Sequence, residues 1–257
     1  MKCDRENEQD MQSETICEED GKITEKILVY CTDPIKKQTE LFKRLCAIFR
    51  PKIKILGVFF FSDHRTRNRE AIDWLVSQKC SFEGVLLCSF LDVSHDDINY
   101  FLDQLGEQKQ LTIRLATTDT QPLRIRKVSQ QLSISSGDWV NVEQLLEWDC
   151  PFIKLTESSK LTCQNINELL RKWMNFKCHK NLKRFIWPIK KVEDIDELIN
   201  GLEYREADAN RSVYTISTHR PLSIGVEIER NDGTIARIYP VQSIATESLF
   251  MTMTVLE

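Results

Sequence analysis

The chain has 257 residues, of which 41% are hydrophobic and 29% charged, so it is long enough to bury a core without disulfide or metal cross-links. The formal net charge of −4 excludes the strongly basic composition typical of nucleic-acid-binding domains. There are 8 glycines, and none lies within seven residues of another. This distribution excludes the glycine-rich loops that bind dinucleotides and nucleoside triphosphates.

The N-terminal segment, residues 1–22, is acidic. Met1 to Gly21 contains eight acidic residues and two basic ones, a net charge of −6, with almost no large apolar side chain. Such a segment cannot offset the entropy lost on ordering, so we predict a disordered acidic tail. The segment also lacks the apolar stretch of a secretory signal.

The cysteines and apolar runs indicate the compartment. The chain has 9 cysteines, an odd number, and several of them lie in or beside apolar runs, as reduced core thiols do. The longest apolar run, Ile55 to Phe61, is shorter than the roughly 18 residues that a membrane helix needs. We therefore expect a cytoplasmic or nuclear protein without a membrane partner.

Residues 23–205 alternate between two patterns. Short β-rich apolar runs begin near Lys26, Ile53, Phe82, Leu111, Leu132, Phe152 and Leu182. Between them, apolar residues recur at i, i+3, i+4 and i+7, which predicts amphipathic helices after the N-caps Ser94 and Thr162. Strands that alternate with helices predict an α/β fold with a parallel sheet. The spacing of 20 to 30 residues between strands predicts a leucine-rich-repeat-like βα solenoid, with an ordinary doubly wound sheet as the alternative.

Residues 206–257 lose the helical pattern. Runs with a period of two follow one another, and Asn231-Asp232-Gly233 between two of them is a hairpin signal. We predict a small antiparallel β element that caps the solenoid, with strands at 213–216, 222–228, 235–238 and 249–255.

Residues with catalytic or metal-binding chemistry are sparse. Cys163 with Cys178-His179 is the nearest set to a metal site, and its spacing is typical of core cysteines instead. The 4 histidines form no recognisable nucleophile–base motif, so we expect neither an enzyme nor a cofactor or metal. Two basic clusters remain, which we interpret as solvated faces or docking surfaces: Arg65, Arg67 and Arg69, and then Arg171, Lys172, Lys177, Lys180, Lys183 and Arg184.

Residues 131–187 carry an ordered set of motifs. A tryptophan follows a strand, a leucine pair precedes an apolar strand, and an Ile-Asn-x-x-Leu-x-x-Trp helix comes next: Ser133–Trp139, Leu145–Cys150, Phe152–Leu155, Leu161–Asn167 and Leu169–Trp173. This set resembles the F-box associated domain, type 2, of the nematode F-box B proteins. The hairpin Arg230–Ala236 is similar to the C-terminal element of that family.

The resemblance implies a substrate-recognition subunit of a cullin–RING ubiquitin ligase. In that family an N-terminal F-box binds the Skp adaptor, and the associated domain selects a protein target. Met1 to Gly21 is acidic and polar where an F-box would be apolar and leucine-rich, so we expect no contact with the Skp adaptor.

We predict a non-catalytic protein–protein interaction module whose protein target, an acidic one, binds to the concave strand face. Strand alternation predicts the residues of this face: Ile55, Phe59, Leu86, Thr112, Arg114, Ser133, Ser135, Lys154, Arg184 and Ile186. Two alternatives stay open, an enzyme on an open parallel α/β sheet and a nucleic-acid binder through basic residues 171–184.

Overall fold

The computed structural model describes residues 11–17, 23–29, 36, 40–44, 53–60, 65–77, 82–135, 137–157, 160–207, 219–221 and 225–256. The chain divides into two compact units, Met1–Lys52 and Ile53–Glu257. Each unit has its own β-sheet.

The first unit contains a two-stranded antiparallel sheet. Strands β1 (Met11–Cys17) and β2 (Ile23–Val29) pair along their whole length. This differs from the sequence prediction twice, because β1 lies in the segment expected to be disordered and β2 is separate from the parallel sheet. A polar segment can be ordered by backbone pairing with a neighbouring strand, which composition does not register. The rest of the predicted tail, residues 1–10 and 18–22, lies outside the described residues.

The second unit is built on one large sheet. Six parallel strands are neighbours in chain order: β3 (Ile53–Phe60), β4 (Phe82–Ser89), β5 (Gln108–Leu115), β6 (Val128–Ser135), β7 (Phe152–Leu155) and β8 (Arg184–Pro188). Antiparallel strands continue the sheet beyond β8 in the order β13 (Leu249–Val255), β12 (Ile235–Ser243), β11 (Val226–Glu229) and β9 (Tyr204–Glu206). A short strand β10 (His219–Pro221) also pairs with β12.

Five helices of the second unit pack on the same face of this sheet: α1 (Arg65–Ser77), α2 (His95–Gln104), α3 (Val142–Glu147), α4 (Cys163–Met174) and α5 (Asp194–Ile199). Their buried apolar residues all belong to one hydrophobic cluster, together with every second residue of the strands. The predicted N-caps are confirmed, since the hydroxyl of Ser94 accepts from the Asp96 amide and Thr162 forms a capping box with Asn165. None of the helices that the structure describes has the length and apolarity to span a bilayer.

The core between helices and sheet explains why the alternation in sequence was informative. In β5, Leu111, Ile113 and Leu115 are buried against the helices, whereas the residues between them lie on the other face. In α4, the stripe formed by Ile166, Leu170 and Trp173 is buried, as the spacing predicts. Each such side chain stabilises the fold by roughly 1.5–3 kcal/mol through burial.

The mixed α/β fold is confirmed, with a mostly parallel sheet and antiparallel C-terminal strands. The C-terminal strands are antiparallel, as predicted, and β13 pairs with β8 over Phe250–Thr254, so these strands continue the same sheet. Their role as a cap stays a prediction. The hairpin turn at Asn231–Gly233 is confirmed, with Gly233 at φ 85°. The expected strand at 213–216 lies outside the described residues, and the leucine-rich-repeat-like solenoid stays a prediction.

Candidate functional site

The face of the large sheet opposite to the helices is the candidate site, and we call its part on β3–β8 the open face. Strand register aligns its side chains in three rows that cross the strands. One row contains Phe59, Cys88, Arg114 and Ser135. The middle row contains Gly57, Leu86, Thr112, Ser133, Lys154 and Ile186, and the third contains Ile55, Gly84, Gln110, Gln131, Phe152 and Arg184.

All ten residues predicted for the binding face lie on the open face: Ile55, Phe59, Leu86, Thr112, Arg114, Ser133, Ser135, Lys154, Arg184 and Ile186. Strand alternation therefore predicts correctly that these ten residues share one side of the sheet. Their burial differs, because Ile186 is fully buried whereas Ile55 is 62% exposed. A role for them in binding stays a prediction.

The β3 side of the open face is apolar and exposed. Phe59 is 50% exposed, and its ring stacks on that of Phe90 with centroids 6.0 Å apart. Phe90 and Leu91 follow the end of β4 and are 82% and 59% exposed. Sequence reasoning missed these two residues, because the apolar run Phe82–Leu91 was interpreted only as a strand. Large exposed apolar groups that cluster in this way are typical of interaction sites.

The middle of the open face is cationic. Its strand positions carry Arg114, Lys154 and Arg184 and no carboxylate. No salt bridge joins Arg114 or Lys154 to a carboxylate of the described residues, whereas Arg184 lies over the Phe152 ring at 5.6 Å. Burial lowers the pKa of Lys154, and the charge of Arg114 lowers it further. The two cations are therefore close enough to repel each other.

Hydroxyl groups lie between these cations. Thr112, Ser133 and Ser135 occupy β5 and β6 on the open face and are half-buried. Each hydroxyl is a hydrogen-bond donor with a rotatable proton. Cations surrounded by hydroxyl donors form a surface that favours an anionic group.

On the antiparallel strands the same face is closed. Ile186, Tyr239, Val241 and Phe250 form a second buried hydrophobic cluster. Beside it, Glu227 accepts hydrogen bonds from Arg237 at 2.8 Å and from Arg205 at 3.1 Å. The side chains of Glu227 and Arg237 are 2% and 4% exposed. This side of the face is therefore packed and its charges are paired within the fold.

The carboxyl ends of the parallel strands, where an enzyme of this class would have its pocket, hold polar side chains in structural roles. Asp119 accepts from the His95 amide at 3.0 Å, and Asp92 accepts from the amide and hydroxyl of Thr118. These bonds join the loop after β4 to the loop after β5 and lower the pKa of Asp92. The His95 ring lies edge-on to Trp139 and its Nδ1 bonds to the Gln121 carbonyl.

A groove of about 720 Å³ lies at the opposite ends of the strands, before β6, β7 and β8. Its walls include Arg126, Lys127, Glu147 and Asp149, and the side chain of Asp149 accepts from Asn181 at 2.8 Å. Because both signs of charge line it, the groove does not select one class of ligand.

The two basic clusters of the sequence are divided by the structure. Arg69 pairs with Asp97 at 3.2 Å, and Lys172 pairs with Glu168 at 2.7 Å. Arg171 donates to the Asn200 carbonyl, whereas Arg184 lies on the open face. The cations of residues 171–184 therefore differ in their surroundings, and Arg171 and Lys172 have partners within the fold.

The candidate metal ligands lie apart. Cys163 begins α4, whereas the Cys178 thiol lies beside the Leu169 carbonyl, six residues or about 9 Å of helix from Cys163. Burial raises the pKa of Cys178 to about 11 and lowers that of His179 to about 4. Cys88, Cys150, Cys163 and Cys178 are free thiols. Among the described residues no three metal-ligating side chains form a group.

Comparison with known proteins places a family segment within this fold. A family model described as F-box associated matches residues 121–186. An uncharacterized protein of Caenorhabditis elegans is 30% identical over 169 residues, which are 62% of this chain and 38% of that protein. The chain thus spans well under half the length of that relative. No solved structure matches the chain.

The matched segment begins before β6 and ends in β8, so it supplies Ser133, Ser135, Lys154 and Arg184 to the open face. It also contains α3 and α4, which cover the opposite face of the same strands. The resemblance predicted from the sequence is confirmed for residues 121–186, which are similar to the F-box associated family.

Proposed function

We propose that the chain is a non-catalytic protein-interaction module that binds a protein substrate through the open face. An F-box associated region indicates a substrate-binding role in general. The observation that carries the proposal is the contrast between the two faces of β3–β8. One face is covered by helices, and the other exposes Ile55, Phe59 and Arg114.

The partner proposed for this face is acidic. Three cations and no carboxylate occupy the strand positions of the open face, so an acidic surface would complement them. Charges of this kind mainly raise the rate of association and fix the orientation of the partner. Association should therefore slow as the salt concentration rises.

The same proposal extends to the shape of the parallel sheet and to the role of the bound protein. We propose that β3–β8 form a leucine-rich-repeat-like solenoid whose concave side is the open face, supported by the packing of α1–α5 in one hydrophobic cluster with the opposite face of the strands. We also propose that the bound protein is a substrate of a ubiquitin ligase, in the cytoplasm or nucleus. The F-box associated region supports that role.

Site-specific photo-crosslinking tests the proposal. A benzophenone amino acid replaces Gln110, which is exposed on the open face, or Gln164, which is exposed on α4. In native extract, we expect a discrete cross-linked protein from position 110 and none from position 164. Equal cross-linking from both positions would contradict the open face as the binding surface, and cross-linking to nucleic acid would replace the protein partner by the alternative class.

A further inference from the structure

Building on the proposed function, we propose that the open face recognises an extended polypeptide segment that crosses the strands. A large apolar side chain of that segment contacts Ile55, Phe59 and Phe90. An Asp or Glu about four residues away lies between Arg114 and Lys154.

The cationic part of the site consists of Lys154 and Arg114. Lys154 is half-buried, and its ammonium group lies 5.9 Å from the centre of the Phe250 ring. Arg114 is exposed on β5, two strands from Lys154 on β7, and β6 between them carries Ser133 and Ser135 on the same face. Two cations that lie near each other and are partly shielded from water repel one another. An anion bound between them is attracted by both and relieves this repulsion. A carboxylate there would also accept hydrogen bonds from the two serine hydroxyls.

The apolar part lies at the other side of the face. Ile55 and Phe59 belong to β3, at the edge of the large sheet, and Phe90 stacks on Phe59. Aromatic side chains with much exposed area are the usual anchors of a binding surface. The surface between anchor and cations includes the small residues Gly57, Gly84 and Thr112, beside the half-buried Leu86, and the small residues leave room for a peptide backbone.

The spacing follows from strand geometry. Adjacent strands are about 4.8 Å apart, so β6, which lies between the strands of the two cations, is about 14 Å from β3. Four residues of extended chain cover about 13 Å. Because side chains of an extended chain alternate, residues i and i+4 point to the same side, whereas i+3 and i+5 point away. The inferred segment therefore has its acidic residue at i+4 from the apolar anchor.

The probes that test this are fluorescent heptapeptides measured by anisotropy with the full chain. In the first, Ser-Phe-Ser-Gly-Ser-Asp-Ser, the acidic residue follows the anchor at i+4. In two others the Asp moves to i+3 or i+5, and in a fourth phosphoserine replaces Asp at i+4. We expect the i+4 peptide to bind roughly tenfold more tightly than the shifted peptides, since only it makes the charge-assisted contact. Tighter binding of the phosphoserine peptide would assign the anion as phosphate and overturn the carboxylate.

Variants of the protein locate the contact. Lys154→Met, Arg114→Gln and Phe59→Ser should each weaken the i+4 peptide by about tenfold, and Lys154→Arg should restore most of the affinity. Lys177→Met, an exposed lysine after α4, is the matched control and should change nothing. Thermal melts that coincide with the wild type show that each variant is folded.

Three results would overturn the inference. These are equal affinity for the i+4 and i+3 peptides, full affinity in Lys154→Met, and absence of binding at millimolar peptide. Cross-linking from position 110 reports on the proposed function separately. If a protein is cross-linked there while the peptides fail, the binding face stands and the bipartite recognition is wrong.

Discussion

The two ends of the large sheet use the same face in opposite ways. On the antiparallel strands the face is buried under its own side chains, and Arg237 is paired with Glu227. On the parallel strands the corresponding face exposes Phe59 and carries Arg114 and Lys154 without a carboxylate. A single sheet therefore has one end whose charged groups pair within the fold and one end where Phe59 is exposed and Arg114 and Lys154 form no salt bridge with a described carboxylate.

This difference helps to separate structural cations from functional ones. A cation that stabilises the fold needs a carboxylate in the same chain, because burying an unpaired charge is costly. Arg237 has this arrangement and Lys154 does not. We therefore expect substitutions at the antiparallel end to reduce stability, and those at the parallel end to reduce binding.

The largest expected effect is that of Glu227→Ala. Removal of this carboxylate leaves the buried guanidinium of Arg237 without its counter-ion. Breaking a buried pair in this way costs about 3–5 kcal/mol, which urea denaturation would measure as a lower free energy of unfolding. Glu229→Ala, two residues along the same strand and exposed, is the matched control and should stay within about 0.5 kcal/mol of the wild type. A loss of equal size in the two variants would contradict the comparison.

The second effect concerns acid stability, which reports on a buried group under the helices. Burial holds the pKa of His179 at about 4, against about 6.5 in an unfolded chain. Between these values the unfolded chain binds the proton more readily, so the free energy of unfolding falls as the pH drops from about 6.5 to about 4. The loss approaches roughly 3 kcal/mol and stops increasing below pH 4.

His179→Asn isolates this contribution, because asparagine tolerates the positive φ of 48° and does not titrate. We expect this variant to be less stable at neutral pH and to have a shallower pH dependence between pH 4 and 6.5. Urea denaturation across that range gives both quantities. A slope identical to that of the wild type would show that other groups govern the acid transition.

Much of this architecture follows from the sequence, because two periodicities are clear in it. Alternating residues such as Leu111 and Ile113 identify the buried side of a strand, and the spacing of Ile166 and Trp173 identifies α4. The same alternation predicts which residues share the open face. It needs no knowledge of the partner, since it depends only on backbone geometry.

Other features depend on contacts between residues far apart in the chain. Pairing of β13 with β8 joins residues more than 60 positions apart, and no local pattern specifies it. The exposure of Phe90 was missed because a strand-like run continues past the end of β4. The strand Met11–Cys17 was missed because its order comes from backbone pairing with β2, not from apolar side chains.

A smaller effect is expected at the junction of the antiparallel strands with α4. The guanidinium of Arg230 lies 5.1 Å from the Trp173 ring and 4.7 Å from that of Phe176, and donates to the Lys180 carbonyl. Arg230→Ala should lower the free energy of unfolding by about 2 kcal/mol, through lost stacking and an unpaired carbonyl. Asp232→Asn, an exposed partner of Arg230, should lower it less. A larger loss in Asp232→Asn would show that the ion pair and not the stacking holds the junction.

The smallest effect on stability is predicted for Lys154→Met, and its sign is the sharpest test of the comparison. Burial and the nearby Arg114 disfavour the charged form of Lys154. Removal of the Lys154 charge should therefore leave the free energy of unfolding unchanged or raise it by less than about 1 kcal/mol. Arg237→Met makes a similar chemical change at the antiparallel end, where it breaks the buried ion pair with Glu227 and should destabilise strongly. Urea denaturation of the two variants side by side measures the difference. If both lose stability equally, Lys154 is a structural residue and is not available to bind a partner.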